Sequence, residues 1–168
     1  MVPALLSLLL ATAPGAPDGG TVTAKGHPFL AEVARTPQEQ ARGLMYRQSL
    51  ARDRCMIFLY DQDGEHRIWM KNCLIALDVV WVKADGTVVE VRENAPPCSP
   101  LLGDDCPTYG GTVPARHFVE FPAGTVRRLG LKVGDRLGWR LTLDGETVTG
   151  GAPVGAAPRR VRKVKAKA

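Results

Sequence analysis

The stretch RIWMKNCLIALD, from Arg67 to Asp78, sets a lysine and an asparagine inside an apolar run. An ammonium held there must find an anion or lose its proton. Two acids lie in comparably apolar settings: Asp78 in ALDVVW and Glu120 in FVEFPAG. Lys71 beside Asp78 or Glu120 could supply acid–base chemistry, the signature of a hydrolase or transferase. Lys71 with Arg47 could instead form a cationic pocket floor for a carboxylate, phosphate or peptide end, with Trp69, Asn72 and Met45 on the walls. The plain structural reading is that Lys71 snorkels over Trp69 to a sheet edge, or sits in a structural ion pair. There is no serine elbow, phosphate loop or metal-ligand spacing, and His27, His66 and His117 are far apart in sequence. An exported binding module, or an accessory module that presents a surface to an envelope partner, is therefore preferred to an enzyme, and nothing calls for a cofactor or a metal. The expected ligands are a small anion, a glycan or a peptide.

The elements that must hold these residues read as strands. Cys55–Tyr60 is apolar throughout, as is much of 68–82, so both are expected as strands covered on two faces. With the turn near Gly64 as the centre of a hairpin, Phe58 opposes Met70, Ile57 opposes Lys71, and Cys55 opposes Cys73. Directly opposed Cβ atoms lie about 4.5–5.5 Å apart, so a Cys55–Cys73 bridge is expected. Alternation then places Trp69, Lys71 and Cys73 on one face. Cys98 and Cys106 bracket a long Pro/Gly/Asp-rich loop, 95–114, and form the second expected bridge.

Around this pair lie Thr21–Ala24 and Phe29–Ala34 as strands, and a short helix opened by Thr36-Pro37 with Glu39 closing a capping box. Gly43 ends it. Asp85-Gly86 marks a tight hairpin between 79–82 and 88–91. A strand at 117–121, one or two helical turns at 123–129 and a closing hairpin at 136–149 follow. The fold expected is mainly β: a compact single-domain β-sandwich or small barrel with one or two short helices.

The ends have a different composition. Residues 2–13 are apolar or small and uncharged, too short for a membrane-spanning helix but suited to a secretory signal. Residues 1–15 are expected as a cleaved signal peptide, 16–20 as linker, 21–149 as the domain and 150–168 as a disordered basic tail. Four cysteines in an even set agree with a periplasmic or secreted location. The formal charge of +5 belongs to the tail: residues 159–168 hold six Lys/Arg, and without them 16 basic residues face 17 acidic ones. The tail could contact an anionic envelope surface, while nucleic acid is not the expected partner. A monomer is expected.

The strings ARTPQEQARGLMYRQSL, CMIFLY, IWMKNCLIALDVVWV, VEFPAG and GLKVGDRL together resemble the family called domain of unknown function 192, over about residues 21–143. Gly43, Leu44, Met45 and Arg47 match its first motif. Trp69, Met70, Lys71, Asn72, Leu77 and Asp78 match its second. Glu120, Pro122, Ala123 and Gly124, then Gly134 and Asp135, match the last two. The resemblance implies a compact, mainly β domain, often exported, and no agreed activity. Cys55 and Cys73 depart from it, standing where a glycine and a threonine are usual.

Overall fold

The computed structural model describes residues 18–152; the leader and the basic tail lie outside the described residues. Eight strands form one sheet in the order β10-β9-β1-β2-β3-β8-β5-β6, and two short strands, β4 and β7, pair separately. The strands are β1 (Gly19–Ala24), β2 (His27–Ala34), β3 (Arg54–Gly64), β4 (Ile68–Trp69), β5 (Leu77–Val82), β6 (Val88–Ala95), β7 (Thr108–Tyr109), β8 (Ala115–Pro122), β9 (Leu137–Leu143) and β10 (Glu146–Gly151). The helices are α1 (Pro37–Arg42) and α2 (Thr125–Leu129). The fold is mainly β in a single domain, as expected. The sheet curls until the start of β6 meets the start of β9, through a Thr87–Arg136 bridge and the Val88 N–H to Asp135 O bond of 2.8 Å, but it does not close into a barrel.

Strand alternation divides the interior in two. On the concave face Phe29, Ile57, Val80, Phe121 and Trp139 pack together with Val126 of α2. On the convex face Phe58, Phe118, Val79 and Trp81 meet Ile68, Met70 and Leu44 from the segments laid over them. Residues 55–60 of β3 and 79–82 of β5 therefore read as unbroken apolar runs, because both their faces are covered.

The local signals act where they stand. Thr36 accepts from the Glu39 N–H, the Glu39 carboxylate returns to the Thr36 N–H at 2.9 Å, and Gly43 caps the C-terminus of α1. Asp144-Gly145 turns the β9–β10 hairpin with both residues at positive φ.

Three expectations are corrected. The hairpin between 55–60 and 68–73 does not exist: β3 has β2 parallel on one side and β8 antiparallel on the other. With both edges of β3 taken, residues 65–76 cross the convex face instead, pairing only as β4 with β7. The Cys55–Cys73 bridge is absent as well. Both are free buried thiols, Cys55 in the concave core and Cys73 in the convex one, with the sheet between them. The third correction concerns Gly19-Gly20 and Gly150-Gly151, which are strand residues rather than linker and tail. Their lack of a side chain is steric: a Cβ on Gly20 would stand 2.2 Å from the Arg140 carbonyl, and one on Gly150 2.5 Å from the Trp139 ring. Asp18 is also held, accepting from Arg35 and from the Asp144 N–H.

The Cys98–Cys106 disulfide forms as expected and staples the long loop. That loop lies close over the convex face. Gly110 sits so near the Trp81 ring that a Cβ would approach to 2.1 Å, and Trp81 donates its indole N–H to the His66 carbonyl at 2.7 Å.

Candidate functional site

A cavity of about 260 Å³ opens on the convex face. Its floor is the sheet. Residues of equal parity on β3 and β8 point there: Phe58 and Tyr60 from one strand, Phe118 and Glu120 from the other. Phe58 and Phe118 are directly opposed in register and stack at 4.3 Å between ring centroids. Its walls are α1 with the Gly43–Met45 turn on one side and Arg67, Ile68, Trp69 and Cys73 of the crossing segment on another. Gly43 is required at the α1 end by its positive φ and because a Cβ there would come within 3.1 Å of the Phe58 ring.

Glu120 is the chemically distinctive group. It is 6% exposed, and its Oε2 has no hydrogen-bond partner. In its sheet row it lies beside Met56 of β3 and Val79 of β5, neither of which can solvate it. Burial therefore pushes its carboxyl up to about 8, so it is mostly protonated at neutral pH. Its neighbours respond. Burial, then the Glu120 charge, raises the Cys73 thiol to about 12 and moves the Tyr60 phenol up as well. Cys73 is accordingly a thiol, not a thiolate, and has no nucleophilic character at neutral pH. Near the cavity Tyr60 stacks on His66 at 3.7 Å, and its N–H donates to His117 Nδ1 at 3.2 Å. The His117 ring is depressed to about 4 by burial first and by Arg116 next, so it stays neutral as that acceptor.

The expected site residues separate into two groups. Met45, Trp69 and Glu120 line the cavity, and Asn72 supports it by donating to Met45 Sδ at 3.8 Å while its carbonyl accepts the Tyr46 N–H. Arg47, Lys71 and Asp78 are engaged elsewhere. Arg47 forms a two-pronged pair with Glu32, at 2.9 and 2.5 Å. Lys71 does lie over Trp69, 5.1 Å from the ring centroid, but its ion partner is the exposed Asp104 and neither Asp78 nor Glu120. Asp78 points to the concave side, accepting the Asn94 and Val126 N–H groups at 2.8 Å each, and thereby ties the start of α2 to β5 and β6. Lys71 with either acid is therefore not assembled as an acid–base pair, and the cationic floor is replaced by a protonated carboxyl. Phe58, Tyr60, Phe118, Arg42 and Arg67 belong to the site but were not singled out from sequence. The parity of Phe118 with Glu120 is the signal that could have found the floor. Cys73 was assigned to a bridge and is a wall. Among the described residues no group of three or more His, Cys, Asp and Glu side chains is gathered for a metal, and no helix is long and apolar enough to cross a membrane.

Two crystal structures are similar to this chain. One is a protein of unknown function from Novosphingobium aromaticivorans DSM 12444, at 35% identity and a TM-score of 0.61, covering 71% of this chain and 82% of the other. The second is a protein named as a candidate transcription regulator from Sinorhizobium meliloti 1021, at 35% identity and a TM-score of 0.62, covering 71% and 90%. No curated protein matches the chain. The model of the family described as an uncharacterized ACR, domain of unknown function 192, matches residues 20–139, more than half of the sequence, and the chain belongs to that family.

Proposed function

We propose that this domain is a small-molecule binding module, acting outside the cytoplasm, whose ligand enters the convex-face cavity. The observation that carries this reading is Glu120: a buried carboxyl with an unpartnered oxygen lining an aromatic cavity. Leaving a buried polar atom unsatisfied costs about 1–3 kcal/mol. A ligand that completes the hydrogen bonding of Glu120 and packs against the cavity wall at the half-exposed Trp69 recovers that cost on binding. The volume suits one small molecule or the end of a larger one, such as a sugar ring or a peptide terminus. Export is supported by the apolar leader and by the Cys98–Cys106 disulfide.

The test is a thermal-shift screen of small polar molecules on the full chain and on Ala41→Trp. Ala41 is exposed on α1 and lines the cavity, so an indole there blocks the mouth without entering the core. A ligand at a hundredfold its Kd stabilises the folded state by about 2.7 kcal/mol, and the variant should lose that gain. A library without a stabilising ligand, or hits that survive Ala41→Trp unchanged, would sink the reading.

A further inference from the structure

We infer that the cavity takes a small zwitterion, its ammonium on the Glu120 carboxylate and its anionic end at Arg42 and Arg67. This rests on the binding-module reading and specifies its ligand.

A buried carboxyl that lines the cavity with Phe58, Tyr60 and Phe118 complements an ammonium by a charge-assisted hydrogen bond in a water-poor setting. Lys71 is committed to Asp104 and Arg47 to Glu32, while Arg42 and Arg67, which line the cavity, do not pair with Glu120. Glu32 shares the sheet row of Glu120 two strands away, with Met56 between, and its charge is already answered by Arg47. The remaining polar groups facing Glu120 are the Cys73 thiol and the Tyr60 phenol, both neutral, and Met56 and Val79 flank it without charge. Glu120 is thus the acidic position of the cavity, and among the described residues no side chain pairs with it.

Arg42, at the end of α1, and Arg67, in the crossing segment, line the same cavity. Among the described residues neither is in an ion pair. They oppose the entry of a simple amine and favour a ligand that carries its own anion. Binding converts the Glu120 carboxylic acid to a carboxylate facing the ligand ammonium and releases one proton to solvent.

Calorimetric titration of the full chain with ω-amino carboxylates from β-alanine to 6-aminohexanoate, beside matched carboxylates (butanoate, hexanoate) and amines (butylamine, hexylamine), tests the assignment. At least one amino carboxylate should bind tenfold or more tighter than both of its matched controls. Its Kd should fall about tenfold per pH unit as pH rises toward about 8, with about one proton released. Glu120→Gln should weaken binding at least tenfold and abolish the pH dependence. Arg42→Ala with Arg67→Ala should reduce affinity to that of the matched amine. Equal binding of hexanoate, affinity that falls as pH rises, or an unchanged Glu120→Gln variant would overturn the zwitterion while leaving a binding module standing. No binding by any of these probes would also overturn it, and the screen against Ala41→Trp then decides the module separately.

Discussion

Two buried acidic side chains on opposite faces of one sheet have opposite fates. Asp78, on the concave side, receives two backbone N–H groups and serves as a structural pin between β5, β6 and the start of α2. Glu120, on the convex side, keeps one oxygen without a partner and lines a cavity. The concave face closes on itself as the sheet curls, and α2 fills what is left. The convex face is covered only by α1 and by irregular segments, which cannot fill it completely. A satisfied buried acid holds structure together; an unsatisfied one is a cost that is maintained locally and removed when a ligand arrives.

The comparison can be broken at each acid. The largest effect is expected at Glu120. Its folded pKa of about 8 lies above its ordinary 4.5, so the folded state keeps a proton that the unfolded chain gives up between those values. Its contribution is fully present below about 4.5 and lost as pH rises through about 8, up to about 5 kcal/mol in all. Urea unfolding as a function of pH should show wild type losing stability across that window relative to Glu120→Gln. The variant should then reveal the opposite slope of His117, whose depressed value makes stability fall as pH drops from about 6.5 toward about 4. Parallel pH profiles for the two proteins would contradict the contrast.

Asp78→Ala should destabilise by about 3 kcal/mol, since a buried and a part-buried N–H group lose their acceptor. Hydrogen exchange should locate the loss at the Asn94 and Val126 amides. Exchange at those two amides no faster than in wild type would remove Asp78 from its role. Replacing Cys98 and Cys106 together by serine removes a short closed loop and should cost about 2–3 kcal/mol by chain entropy. The cavity, lined by other segments, should keep its ligand affinity once the protein is folded, which titration checks. Smallest is Lys71→Ala, because a pair with an exposed aspartate is worth about 0–1 kcal/mol. A loss of several kcal/mol in the melting profile would restore Lys71 to a buried role.

Much of the local structure was legible in the sequence. The Thr36 capping box, the Gly43 stop, the Asp85-Gly86 turn and the stapled loop depend on contacts within a few residues, so short motifs report them. The partner of each strand was not legible. Cys55–Tyr60 and 68–73 look like a hairpin by spacing and hydrophobicity, yet β3 finds β2 and β8, which are distant in sequence or joined to it through α1. Lys71 does neighbour its tryptophan, but residues 70–73 form a turn rather than a strand, so the expected common face of Trp69, Lys71 and Cys73 fails. Cys73 instead joins Met70 in the convex core, and sequence did not say which acid would reach the Lys71 ammonium. Glycines at 19–20 and 150–151 read as linker because composition cannot distinguish a glycine chosen for freedom from one chosen so that another backbone or ring can approach.

From the amino acids alone came the predominance of strands, the short helices and their ends, the loop staple and the family motifs, because each is written in local periodicity or in neighbouring residues. Tertiary structure alone decided that Cys55 and Cys73 lie on different sides of a sheet, that Arg47 and Lys71 find other acids, and that Glu120 meets none. Pairing between distant strands chooses those neighbours, and a buried charge is defined entirely by who its neighbours are.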